Sequence, residues 1–327
     1  MKKTFLQSLG PGLLFAGAAI GVSHLVQSTR AGAEFGFGLI WALLLVHLFK
    51  YPFFQFGPRY AAATGETLLD GYRKLGKGVL IAYYMLNFAT MFTIQAAVTI
   101  VTAGLASQLF GFTNDLVLWA TLLMFISVVF LVVGKYKLLD NLMKYIIVIL
   151  TISTILAVGI AIFSTKESFD VTQIIPSGTV ELTFLIAFLG WMPAPLDVSI
   201  WHSIWSVEKD KTTVIKTKRT AAIFDFNVGY ISTLCLGICF LLLGALVMYK
   251  SGETFSNKGG LFATQLINLY TKNLGEFSHL LIAIAAFTTM FSTTITTMDA
   301  SPRAMNRTTK LLWNKELKFG YWFWILL

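Results

Sequence analysis

The chain has 327 residues, 56% of them hydrophobic and only 13% charged, with a formal net charge of +9. A mean hydropathy of +0.72 excludes an ordinary soluble domain. The basic residues are scattered between apolar runs rather than gathered in one patch, which excludes a nucleic-acid partner.

Runs long enough to cross a bilayer recur along the whole chain. Spans are predicted near 10–30, 36–57, 79–109, 114–134, 141–164, 180–205, 222–249 and 277–299, and a ninth begins around Phe319 and is cut off at Leu327. The first carries a polar interruption, Gly21-Val-Ser-His24. Gly17, Ala18, Ala19 and Gly21 suit a close-packing helix face. His24 and Gln27, three apart, share one side of that helix and serve either packing or a ligand. The third span lies in a stretch, Asp70 to Asp115, without any acidic residue between them.

The sixth span is interrupted as well, at Trp191-Met-Pro-Ala-Pro-Leu-Asp197. Pro193 and Pro195 have no N–H, so the carbonyls of Leu189 and Trp191 lose their helical donors and the helix opens. Bare carbonyls beside a carboxylate are ligands for a hard cation. Asp197 is the one acid between Glu181 and Glu208, and intramembrane charge is retained mainly for function. Paired interruptions at matching places in two halves point to a secondary transporter's substrate site. Asp225 and Asp299, near span ends, are expected to reach interfacial water and act structurally. Segment eight offers a hydroxyl face from Thr288 to Thr297, including Thr293, that either bonds neighbouring backbone or lines an aqueous path. His202 is placed in an inner vestibule. Cys235 and Cys239, four apart in one span, read as packing residues rather than a disulfide.

Charge placement sets the orientation. With the N-terminus inside, inner loops hold Lys2, Lys3, Arg59, Arg73, Lys74, Lys77, Lys135, Lys137, Lys144, Lys209, Lys211, Lys216, Lys218, Arg219, Arg303, Arg307 and Lys310. The outer side holds only Arg30, Lys166, Lys250, Lys258 and Lys272. The expectation is an integral, multi-pass protein of the plasma (inner) membrane with a cytoplasmic N-terminus. The initial Met1-Lys-Lys is read as part of the first span's flank rather than a cleaved signal.

Gly10-Pro11-Gly12, Ala31-Gly-Ala-Glu-Phe-Gly36, Leu39-Ile-Trp41 and Thr64-Gly-Glu66, with His202-Ser203 ending segment six, resemble the NRAMP family of divalent-metal transporters. The resemblance implies an all-α, leucine-transporter-like inverted-repeat bundle with broken helices 1 and 6, here cut short in helix 9. It implies one transmembrane domain, 1–327, of two repeats, 10–164 and an incomplete 178–327. It also implies a divalent cation as substrate rather than any cofactor. The metal-site motifs depart from the family's pattern: Gly21-Val-Ser-His24 stands where that family has Asp-Pro-Gly-Asn. Anchored on His202-Ser203, Pro195 takes the place of its soft methionine ligand, and the acids of its third segment are missing.

The expected site is therefore Gly21, His24, Gln27, Leu189, Trp191, Pro195 and Asp197, with His24 and Asp197 as metal ligands and His202 and Thr293 on the pathway. Such a donor set suits magnesium or manganese. Two readings compete with it: an organic solute such as an amino acid, held at the half-helix N-terminus after Pro195, and a homologue that no longer transports. No metalloprotease or esterase motif supports an enzyme.

Overall fold

The computed structural model describes residues 9–164, 170–213, 216–249, 276–315 and 318–327, with positions 251, 256, 261, 262, 264, 265, 267 and 268. Lys2, Lys3, Lys166, Lys250, Lys258 and Lys272 of the orientation argument, and the side chains of Lys135 and Lys137, lie outside the described residues. Among those described, the elements are all helical: α1 Pro11–Ala19, α2 Ser23–Phe35, α3 Ile40–Thr64, α4 Leu68–Leu75, α5 Lys77–Phe110 and α6 Leu116–Ser164. They continue with α7 Thr179–Trp191, α8 Val198–Thr212, α9 Arg219–Met248, α10 Glu276–Trp313 and α11 Gly320–Leu326. Five segments of this set are long and apolar enough to cross a membrane, and a sixth results if α1 and α2 count as one bent span.

α1 is the buried centre of the bundle. Pro11 starts it with a residue whose missing N–H costs nothing at that position. All nine of its residues are buried, as befits a helix apolar on every side. Its amino-terminal donors are satisfied from far along the chain: Asp225 Oδ1 accepts from Gly10 N–H and Oδ2 from Gly12 N–H, each at 2.9 Å. Asp225 is thus buried rather than exposed to interfacial water as expected. The backbones of α1 and α9 nearly touch there. A Cβ on Gly12 would lie 2.0 Å from the Asp225 carbonyl oxygen, and one on Gly229 2.0 Å from that of Gly12.

The fourth and fifth expected spans share one unbroken helix, α6, which carries two apolar stretches, Leu116–Val133 and Asn141–Phe163. The connection, Gly134-Lys-Tyr-Lys-Leu-Leu-Asp140, has no proline, so nothing in it forces the helix to stop. Elsewhere the stops are local chemistry. α3 and α5 end at Gly65 and Gly111, both at φ 72°, a left-handed conformation only glycine adopts freely. α4 opens with a capping box between Thr67 and Asp70.

The acid within α10 is buried too. Asp299, expected at interfacial water, is 0% exposed and accepts from Trp205 Nε1, Arg303 Nε and the Tyr321 hydroxyl. It ties α8, α10 and α11 together. Cys235 and Cys239 are free thiols.

Candidate ion site between two broken helices

The first break follows α1, whose axis meets that of α2 at 48°. Gly21 is small because α10 leaves no room: a Cβ there would lie 2.4 Å from Thr293 Oγ1. Thr293 Oγ1 sits 3.1 Å from the Gly17 carbonyl and 3.3 Å from that of Ile20, and Ser292 Oγ donates to Gly17 as well. Ser23 Oγ donates to the Ala19 carbonyl at 2.5 Å. The hydroxyls of α10 therefore finish the last turn of α1, while Thr293 and Thr297 also line the central cavity.

His24, expected as an ion ligand, has both ring nitrogens beside protein atoms. Its Nδ1 lies 2.7 Å from Ser23 Oγ and 3.1 Å from the Ala19 carbonyl, and its Nε2 lies 3.0 Å from the Thr233 carbonyl of α9. The ring is fully buried and joins α1, α2 and α9. Gln27, one turn on, keeps a buried side-chain oxygen without a partner.

The second break runs from Met192 to Asp197, between α7 and α8, and holds a cis Met192–Pro193 bond. Here the freed carbonyls are occupied. The ammonium of Lys50, from α3, lies 2.9 Å from the Leu189 oxygen, 2.8 Å from those of Gly190 and Met192, and 3.4 Å from that of Ala194. The expectation that Leu189 offers its carbonyl to a free ion is corrected by this contact. The Trp191 carbonyl is outside that group, and the Trp191 side chain lines the cavity with Pro195. Met192, the one sulfur at the break, is buried with Sδ 3.5 Å from Ser28 Oγ.

Asp197 stands at the amino end of α8, its side chain making no capping bond, and its buried Oδ1 has no partner. Other orphaned polar atoms occur on α5 and α8. Tyr83 of α5 is close enough to interact with its charge, and the Tyr83 hydroxyl is unpartnered. Asn87, one turn along α5, has both side-chain polar atoms unpartnered, and so does the indole N–H of Trp201, one turn along α8. Unpaired buried polar groups are costly in hydrocarbon and in protein alike, so such a cluster marks a place for water or an ion. The cavity beside it is lined by Ala18, Ser23, Val98, Pro195, Val198 and Thr293, among others, and so touches both breaks.

Among the described residues no three His, Cys, Asp or Glu side chains come together as a metal cluster. Any ion here has one carboxylate, with carbonyl, hydroxyl and water oxygens for the rest. His202 is fully buried between Phe15 and Phe226, its ring nitrogens unpartnered, and it lines a small cavity with Pro11, Lys209, Asp210 and Asp225.

Sequence reasoning found both breaks and Asp197 but passed over Lys50, Tyr83 and Asn87. For Lys50 the signal was present, a lone lysine in the middle of an apolar run. For Tyr83 and Asn87 it was faint, two polar residues at i, i+4 on a helix with several other polar residues.

Comparison with known proteins places this geometry. Residues 12–327 match the family model described as natural resistance-associated macrophage protein-like, Nramp. An uncharacterised protein of Pasteurella multocida is 40% identical over 314 residues, covering 94% of this chain and 72% of its own. The fold is that of a crystal structure of the Eremococcus coleocola manganese transporter, with a TM-score of 0.71 at 17% identity over 99% of this chain and 68% of that one. It is also that of Mhp1, a nucleobase-cation-symport-1 family transporter, with a TM-score of 0.69 at 17% identity over 97% of this chain and 70% of that one. The bundle is thus leucine-transporter-like, with its first and sixth spans broken.

Proposed function

Because the chain belongs to the Nramp family and is a multi-pass integral membrane protein, we propose that it carries a divalent metal cation across the membrane, bound at Asp197. The observation that supports this is the orphaned, buried carboxylate oxygen of Asp197 in the second break, whose neighbours Pro195 and Val198 line a cavity that touches both helix breaks. The Asp197 and Val198 backbone N–H groups meet the carboxylate on one side, and its remaining buried oxygen is unfavourable until a cation or proton reaches it. Carbonyls exposed by the break, the Thr293 hydroxyl and retained water complete an oxygen shell.

Magnesium and manganese both fit such a shell. With His24 turned to protein carbonyls and Met192 bonded to Ser28, the donors are hard, which favours magnesium, an ion that keeps several of its waters. The similar Eremococcus coleocola protein is a manganese transporter. His202 and Thr293 line the route on the two sides of Asp197. In this reading the first repeat is 10–164 and the second 178–327, and the basic loops around Arg73 and Lys209 face the cytoplasm of a plasma-membrane protein.

The test is uptake by purified protein in liposomes against magnesium, manganese, calcium and an amino-acid panel, with Asp197→Asn beside the wild type. Saturable divalent uptake lost in Asp197→Asn supports the proposal. Uptake of an amino acid alone, or of nothing, replaces it with the solute-carrier or non-transporting reading.

A further inference from the structure

Lys50 lies ten residues into the 25-residue α3, about 15 Å from its start at 1.5 Å per residue, so it belongs to the interior of the span. A lysine at that depth is costly unless its charge is met within the protein. No acid meets it: among the described residues Lys50 forms no salt bridge. Instead three backbone oxygens stand at 2.8–2.9 Å, one for each ammonium proton, and a fourth at 3.4 Å.

Each of these oxygens is available for a local reason. Leu189 lacks a helical donor because residue 193 is proline, Gly190 lies in the last turn of α7 where carbonyls have no onward helical donor, and Met192 and Ala194 follow the helix end. The carbonyl end of α7 adds its negative pole. A ring of backbone carbonyls replacing the shell of a monovalent ion is the chemistry of cation selectivity filters.

We propose that the carbonyls of Leu189, Gly190, Met192 and Ala194 form a monovalent-cation site, sized for a primary ammonium, which the chain fills with its own Lys50. Lys50 thereby closes the second break to a free ion on the α7 side, and Asp197 alone carries the negative charge there. This holds whatever the cargo is.

The test is chemical rescue of stability in the purified full chain. Lys50→Ala leaves the carbonyls without a donor and lowers the thermal midpoint by about 5 °C or more. Methylammonium then restores much of that loss, whereas tetramethylammonium at the same ionic strength, which has no N–H to donate, does not, and the wild type responds to neither. Equal responses to the two salts, no response, or a wild type stabilised as much as Lys50→Ala would each overturn the proposal. Should Lys50→Ala yield no folded protein, Lys50→Gln is the second variant. It is one atom shorter and loses the charge, and a midpoint equal to that of the wild type overturns the cage.

Discussion

The two helix breaks solve the same problem with opposite chemistry. At the first, the carbonyls left at the end of α1 are met by neutral donors: Ser23, Ser292 and Thr293 hydroxyls, with the His24 ring alongside. At the second, the carbonyls are met by an ammonium and the next half-helix begins with an unpaired carboxylate. A neutral break is complete in itself and needs no cargo. A charged one holds a positive group that is satisfied and a carboxylate with one oxygen that is not, the imbalance on which the proposed cation site rests. The difference assigns structure to the first break and chemistry to the second, although their hydropathy patterns look alike.

The largest effect expected from this contrast is at Asp197. Asp197→Asn keeps the shape and removes the charge. At an effective dielectric near 20, one unit-charge pair at 4 Å is worth about 4 kcal/mol, which corresponds to a loss of roughly a thousandfold in affinity. Liposome uptake of the divalent ion is expected to vanish while expression and thermal midpoint stay near wild type. Normal uptake would remove the charged break from the mechanism.

Next in size is Asp225→Asn, because the carboxylate holds two N–H groups at the start of α1. Charge-assisted hydrogen bonds of this kind contribute about 1.5–3 kcal/mol, so its thermal midpoint falls clearly. A midpoint unchanged from wild type would mean that α1 is held without this cap.

His24→Ala sharpens the comparison directly. The neutral break loses a clamp on three helices, costing about 1–3 kcal/mol of stability, and uptake per folded molecule drops only a few-fold. If uptake disappeared while the midpoint held, His24 would rejoin Asp197 as a ligand.

The smallest effect lies away from both breaks, at α4. Burial pushes the Asp70 carboxyl up, but hydrogen bonds from Thr67 and Arg307 and the guanidinium's charge outweigh it and hold the group below the ordinary carboxylate range. A depressed folded-state value stabilises above the unfolded value and is lost as pH falls through the folded one. Asp70→Asn is therefore expected to lower the midpoint at neutral pH, with the gap closing in acid. A gap independent of pH would show that the charge contributes nothing.

Both breaks and most spans were legible in the sequence, since proline and glycine act locally and apolar runs report burial in lipid directly. What was not legible depended on partners far along the chain. Lys50 finds its carbonyls some 140 residues away, and His24 turns to Thr233 of α9 rather than to Asp197. Asp225 and Asp299 looked interfacial because sequence gives depth along a helix but not what packs beside it. The join within α6 was missed because a basic connection reads as a loop even when its residues favour helix.

The hydroxyl row of α10 has a mechanical consequence. Thr293 Oγ1 is within 3.3 Å of Thr289 O on its own helix as well as of Gly17 O and Ile20 O on α1, and Ser292 Oγ is likewise shared between Thr289 O and Gly17 O. A hydroxyl rotor can turn from one acceptor to the other without stranding its proton. The seam between α1 and α10 is therefore held by hydroxyls that have acceptors on both helices, while Asp225 holds the other end of α1.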